Sequence, residues 1–329
     1  MQNKRALVMG ASGFLGSHIC RQLVAAGIET CAFVRPSSNT STIDELGLQT
    51  YYGDVMQPET LRPALQDCDI VFYCIVDTRA WLKDTSPLWR TNIDGLRHVL
   101  DVAVDCDIER FVFTSSIVTI GLNESGVATE ADTFNWADKA PDYVLCRTQA
   151  ENMVFEYCQA KQLPAIALCV ANTYGPGDIQ PTPHGGLIKA VALQQTSLPI
   201  DCENPVVDIR DAAQAMILAA ERGRVGERYI IAAEHANQVE LFWYAAEVAG
   251  VDPPRFKLSV RMIWTLAFVV ENILKLFGKR IALNTESVLL SHVFNEMDCS
   301  KARQELGWQP RPIKESIRDA VAFYLQHPD

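Results

Sequence analysis

The chain has 329 residues, 48% of them hydrophobic and 21% charged, the balance of a globular protein able to bury a sizeable core. Its formal net charge is −11, so no surplus of lysine and arginine exists to displace counterions from phosphates, and a nucleic-acid partner is not expected. Its ten cysteines include no C-x-x-C pair, which speaks against a metal site or a disulfide framework and for reduced thiols in a cytoplasmic protein.

The opening apolar run is too short for a signal peptide and reads as a strand over 5–9. Gly10, Gly13 and Gly16 follow, and a helical pattern then runs to Ala26, with Gly27 as its C-terminal cap. In this spacing one glycine makes the tight turn, one lets backbone approach a pyrophosphate, and one lets the helix lie close to the strand. The helix N-terminus then faces the anion. A second strand, 30–34, ends in Val34-Arg35. An acidic residue there would bind ribose hydroxyls; the planar fork of Arg35 suits a 2′-phosphate instead, which favours NADP(H) over NAD(H). Gly53-Asp54-Val55 precedes a helix near Pro58, and Asp54 either accepts from the adenine amino group, caps that helix or makes a turn.

The apolar runs 70–76, 110–115 and 165–171 are of strand type, and 89–104 has helical period. Strands alternating with helices predict an α/β fold, a Rossmann-type doubly wound parallel sheet, over 1–173 with the chain returning to it around 191–222. From Tyr174 the texture changes to a breaker-rich loop that includes His184, and 174–329 reads mainly as a smaller, interleaved substrate-binding unit. The segment 262–270, Met-Ile-Trp-Thr-Leu-Ala-Phe-Val-Val, is half of the roughly 20 residues a membrane span needs. It reads first as a buried helix of the second unit. A lid over an apolar substrate is the alternative, and Lys275, Lys279 and Arg280 also permit loose membrane-surface contact. In Asp-Tyr-Val-Leu-Cys-Arg at 142–147, Tyr143 and Arg147 share one helix face: a proton donor beside a fixed cation, or an ordinary surface pair.

Gly-Ala-Ser-Gly-Phe-Leu-Gly at 10–16, Gly-Asp-Val at 53–55, Thr-Asn-Ile-Asp-Gly at 91–95 and Phe-Thr-Ser-Ser at 113–116 form one set with three later motifs. These are Tyr-Gly-Pro-Gly-Asp at 174–178, Asp208 to Asp211, and Asp-Cys-Ser-Lys-Ala-Arg-Gln-Glu-Leu-Gly-Trp-Gln-Pro at 298–310. Over nearly the whole length this set resembles the extended short-chain dehydrogenase/reductase family, also called the NAD-dependent epimerase/dehydratase family. Arg35, Asp77-Thr-Arg-Ala-Trp81 and Gly177-Asp-Ile-Gln-Pro-Thr-Pro183 are most similar to its dihydroflavonol 4-reductase, 3β-hydroxysteroid dehydrogenase and hopanoid-associated branch. The resemblance implies that Ser116 hydrogen-bonds the reacting oxygen and that Tyr143 carries the proton. The cation at 147 would hold the nicotinamide ribose and lower the phenol pKa, and Asn92 would anchor a water in the proton path. It implies a cofactor shell of Gly10, Ser12, Gly13, Phe14, Leu15, Gly16, Arg35, Asp54, Val55, Cys74, Ile75, Val76, Thr114, Tyr143, Arg147, Val170, Asn172 and Thr173. Asp77, Trp81, Ser116 and His184 would face a substrate, no metal would be needed, and a homodimer would pack through the helices starting near Trp89 and Tyr143.

Three residues depart from the family pattern. Arg147 replaces a lysine, Tyr73-Cys-Ile-Val76 replaces His-x-Ala-Ala, and Val170 replaces a proline. The reading is an NADP(H)-dependent oxidoreductase acting on a carbonyl or secondary alcohol of a largely apolar small molecule. A nucleotide-sugar epimerase or dehydratase with retained NAD is one alternative. The other is a cofactor-binding protein with weak or no catalysis, because Arg147 cannot pass a proton.

Overall fold

The computed structural model describes residues 1–328 apart from 2, 80–83, 196–197 and 277–283; Trp81, Lys279 and Arg280 lie outside the described residues. Seven strands form one sheet: β1 (Arg5–Met9), β2 (Glu29–Val34), β3 (Gln49–Tyr52), β4 (Ile70–Tyr73), β5 (Arg110–Ser116), β6 (Ala165–Val170) and β7 (Arg228–Ile231). Their order is β7-β6-β5-β4-β1-β2-β3, and every neighbouring pair is parallel. The longer helices are α1 (Phe14–Ala25), α2 (Leu96–Asp105), α3 (Asp142–Lys161), α4 (Pro183–Ala192), α5 (Ile209–Arg222), α6 (Gln238–Ala249), α7 (Val260–Leu276) and α8 (Ile313–Gln326).

A parallel sheet must be covered on both faces, so its strands are apolar throughout rather than alternating. Along β1, Ala6 and Val8 join one core with Ile19 and Leu23 of α1 and Ala212 and Met216 of α5. Leu7 and Met9 join the opposite core with Val99 and Leu100 of α2 and Cys146 and Met153 of α3. This is the doubly wound sheet expected from the sequence. Strands β3 and β7 were not foreseen, and β7 lies beyond the expected return at 191–222. Strand β4 stops at Tyr73, short of position 76. The Cys74 amide still bonds the Met9 carbonyl at 2.9 Å, but the chain must then clear the glycine turn: the Cys74 carbonyl lies 3.2 Å from where a Gly10 side chain would begin. The helix expected over 89–104 is continuous but contains a wide turn at Arg90–Gly95, of the kind that concentrates near functional sites.

Helices α4, α6 and α8 share a smaller core around Ile188, Phe242, Val321 and Tyr324. Beside it lies a three-stranded sheet of Asn172–Tyr174, Glu203–Asp208 and Glu234–Asn237. Helix α4 starts at Pro183 because Thr182 accepts from the Gly185 amide at 3.1 Å and proline is pre-set for the first helical position. His184 is therefore helical, not in the loop. The expectation of a buried helix at 262–270 is also overturned. Helix α7 forms, but of its described side chains only Ile263 and Ala267 are buried, against Val288, Ile200 and Leu258. Among the described residues its platform is a two-stranded ribbon and the short helix Thr285–Leu290. Among the described residues no helix is long and apolar enough to cross a membrane.

A side chain on Gly16 would begin 2.3 Å from the Gly10 carbonyl oxygen, backbone that cannot step aside. Gly16→Ala is expected to lower stability to urea by at least about 2 kcal/mol; an unchanged unfolding midpoint would show that α1 has room to move away from β1.

Candidate active site

Because the sheet is parallel, all strands end on one edge, and a crevice opens where the order reverses between β1 and β4. Gly10 leaves β1 with φ +81°, a left-handed turn glycine enters at no cost. Gly13 caps α1 without a side chain, so the first amides of the helix, which have no intrahelical partner, face the turn formed by Ser12, Phe14 and Leu15. A loop this tight, with no side-chain cap, fits a pyrophosphate.

Apart from Tyr143 and Arg147, the other residues expected in the cofactor shell lie at or near the C-terminal ends of β2 to β6 or just beyond them. Arg35 is exposed just beyond β2, and among the described residues its guanidinium has no ion-pair partner. Asp54 makes a turn, accepting from the Met56 amide at 2.9 Å. Val55 is buried, and its carbonyl bonds His98 at 2.8 Å. Thr114 donates to the Cys74 sulfur at 3.5 Å. Ile75, Val76, Asn172 and Thr173 are half-buried, and Val170 is buried.

Two expected roles change. Asp77 was a substrate candidate, but Arg79 grips both its oxygens, at 2.9 and 2.6 Å. That fork, aided more weakly by the nearby charge of Arg35, holds the carboxyl below its usual range. The carboxylate is spent on its own loop. Asn92, in the wide turn, uses both ends of its amide on Asp77: Oδ1 accepts from the Asp77 amide at 2.8 Å and Nδ2 donates to its carbonyl at 2.9 Å. It clamps the 74–77 turn, a role not foreseen from the sequence. His184 sits beside Tyr174, ring centres 6.1 Å apart, and burial pushes it down to about 4, so it is neutral at neutral pH.

Ser116 ends β5, and its Oγ accepts from the Val118 amide at 3.4 Å. It also lies near the phenol of Tyr143, the second residue of α3, and helps to lower its pKa. One turn on, Arg147 is only 2% exposed. Its Nη2 donates to the Thr114 carbonyl, and its guanidinium lies 5.3 Å from the centre of the Phe113 ring. Its Nε has no partner among the described residues, and no carboxylate pairs with it there. The buried hydroxyl of Tyr73 is likewise unpaired and feels the Arg147 charge. The phenol of Tyr143 departs from expectation: burial pushes its pKa above the ordinary tyrosine value, and Arg147 and Ser116 pull it down without overcoming that push.

A further turn along the same face, Glu151 is 3% exposed. One oxygen accepts from the hydroxyls of Ser115 and Thr119, the latter at 3.0 Å, and from the Cys169 thiol at 3.4 Å. The other pairs with Arg228 of β7 at 2.9 Å. Neither Glu151 nor the Tyr73–Phe113 floor was singled out from the sequence, although positions 143, 147 and 151 recur every four residues, the signal that could have found the first.

A model of the NAD dependent epimerase/dehydratase family matches residues 6–232. The chain belongs to this family. A putative dihydroflavonol 4-reductase of Synechocystis sp. is 29% identical to it, over 97% of this chain and 94% of its own. Sterol demethylase protein B of Methylococcus capsulatus is 27% identical, over 97% of this chain and 98% of its own. The crystal structure of gox2253 superposes with a TM-score of 0.87 at 33% identity, covering 99% of both chains. Within this epimerase/dehydratase chain, the tie from α3 to the sheet passes through Glu151 and Arg228. Removing one partner of a buried pair strands the other charge, so Glu151→Ala is expected to cost about 3–5 kcal/mol. Arg228→Ala should cost a similar amount, and the double variant should cost less than the sum of the two. Additive losses in urea denaturation would show that the two residues act separately.

Proposed function

We propose that this chain is an NADP(H)-dependent reductase of a carbonyl on a largely apolar small molecule, with Ser116, Tyr143 and Arg147 as its reacting set. The observation that carries this reading is a buried guanidinium with no carboxylate partner among the described residues, one helical turn from a phenol that lies near Ser116 and that burial keeps protonated. The nicotinamide cofactor, when bound, supplies the hydride. Ser116 donates a hydrogen bond to the carbonyl oxygen and orients it. As negative charge develops on that oxygen, the Tyr143 hydroxyl gives it a proton. The fixed charge of Arg147 then stabilises the phenolate left behind, which solvent reprotonates. Arg35 at the end of β2, where an acidic residue would select NAD(H), supports NADP(H). Relatives named for a dihydroflavonol and for a sterol support an apolar substrate bound on the α4, α6 and α8 side.

The second reading is a cofactor-binding protein of little turnover, and the tie of Arg147 to the Thr114 carbonyl favours it. Arg147→Lys separates the two. In a working reductase the substitution lowers kcat; in a protein that has lost the chemistry it raises activity from nothing.

Purified protein supplied with NADPH and a panel of ketosteroids and dihydroflavonols is expected to turn over, and Tyr143→Phe to lose about a hundredfold or more in kcat. Equal rates for wild type and Tyr143→Phe would sink the assignment. The raised phenol pKa also fixes a sign. The reducing rate should stay flat through neutral pH and fall as pH rises through the Tyr143 pKa, while the reverse oxidation gains over the same range. Arg35→Ala should lower kcat/KM for NADPH about 10–100-fold, the loss of a hydrogen-bonded ion pair, and leave NADH nearly unchanged. An equal loss for both cofactors would remove Arg35 from the 2′-phosphate.

A further inference from the structure

Sixteen large apolar side chains stand exposed among the described residues, and seven of them fall within positions 256–273, so they form a patch rather than the usual scatter. Phe256 is 73% exposed, and Met262, Trp264, Leu266, Phe268, Val269 and Ile273 of α7 are each 45–58% exposed. Met262, Leu266, Val269 and Ile273 recur at i, i+4, i+7 and i+11, a single stripe along the helix. It is distinct from the inward stripe of Ile263 and Ala267. On the other flank Trp264 and Phe268 stack at 5.4 Å. Between these flanks the polar side chains turn back on their own helix: Thr265 donates to the Arg261 carbonyl at 2.8 Å and Asn272 to the Phe268 carbonyl at 2.7 Å. Donors already satisfied cost less to bring against an apolar phase.

Charge selects the occupant. Across 252–273 stand Arg255, Lys257 and Arg261 against two acids, Asp252 before Phe256 and Glu271, which turns inward to accept from the Thr285 hydroxyl at 2.9 Å. Lys257 is paired with Asp201 at 2.7 Å, while Arg255 and Arg261 have no ion-pair partner among the described residues. We propose that this face docks on an anionic lipid bilayer, with α7 lying in the plane of the interface. The apolar stripe and the Trp264–Phe268 pair would enter the headgroup–acyl boundary, and Arg255 and Arg261 would meet lipid phosphates. A second copy of the chain would satisfy the apolar stripe but would set the same cations of α7 against each other, with Glu271 already turned inward to Thr285. The assignment does not depend on the reaction proposed above.

The test is flotation of the purified full chain with phosphatidylcholine vesicles, with and without phosphatidylglycerol. Wild type is expected to float with the anionic vesicles and to be released by high salt. Leu266→Glu with Val269→Glu, both at exposed positions, should abolish binding while the thermal midpoint holds. Arg255→Gln with Arg261→Gln should weaken partitioning about tenfold or more, since each cation near an anionic leaflet contributes about fivefold. If the glutamate variant fails to fold, the arginine variant decides. Wild type that stays at the bottom of the gradient with anionic vesicles overturns the proposal. So does arginine-variant binding equal to wild type, or an oligomer that the glutamate variant dissociates with no flotation in either form.

Discussion

Helix α3 is tied to the sheet by one buried carboxylate in addition to its apolar face. Taking Glu151 and Arg228 out of water is costly, and such a pair persists only where nearly every remaining lone pair finds a donor. Here Ser115, Thr119 and Cys169 meet one oxygen and Arg228 the other. These partners are the immediate neighbours of the working edge, since Ser115 precedes Ser116 and Cys169 precedes Val170. Arg228 also donates to the carbonyls of Glu130 and Asp132, so the same knot fastens the excursion that follows β5. Tyr143 stands eight residues, about 12 Å of helix, from Glu151. Its height over Ser116 is therefore set in part by a lock two turns away, together with the apolar face of the helix and the tie of Arg147 to Thr114.

Much of this was legible in the sequence for a physical reason. Buried parallel strands are continuous apolar runs, and the glycine spacing of the first turn has few other uses, so the sheet and the crevice at its edge could be read in advance. What was missed depended on packing. Strand β3, Gln-Thr-Tyr-Tyr, is an edge strand without an apolar signature, and β7 is four residues long. The start of α4 was hidden because Gly185 and Gly186 read as breakers, although Thr182 and Pro183 form an ordinary helix beginning. Asp77 looked free because its partner, two residues away, had no stated role. The greasy segment at 262–270 looked internal because composition reports what a helix could bury, not how large a platform awaits it.

The departures at Tyr73 and Arg147 are not independent. A guanidinium is longer and flatter than an ammonium, and a buried one needs a surface for its plane. Phe113 supplies that surface and itself stacks on Tyr73, centres 5.9 Å apart, while the Thr114 carbonyl takes one of the five donors. A site decaying by drift would accumulate unrelated changes. Here the aromatic ring and the cation lie against the same phenylalanine, which favours a retuned reductase over a site that has lost its purpose.

The same geometry separates two jobs that a lysine would combine. A lysine can both stabilise a phenolate and exchange protons; an arginine does only the first. With Arg147 fixed against β5, the proton that Tyr143 gives up in the proposed reaction must return by a route other than the guanidinium. Burial compensates for the missing relay by keeping the phenol protonated in the resting state. A donor of raised pKa is still far more acidic than the alkoxide it must neutralise, so the transfer remains downhill. The cost falls on the opposite direction, where the same phenol would have to accept a proton as a base. Desolvation, the larger of the two opposing effects on Tyr143, thus makes the proposed reaction asymmetric: as a reductase it would favour the making of alcohols over their oxidation.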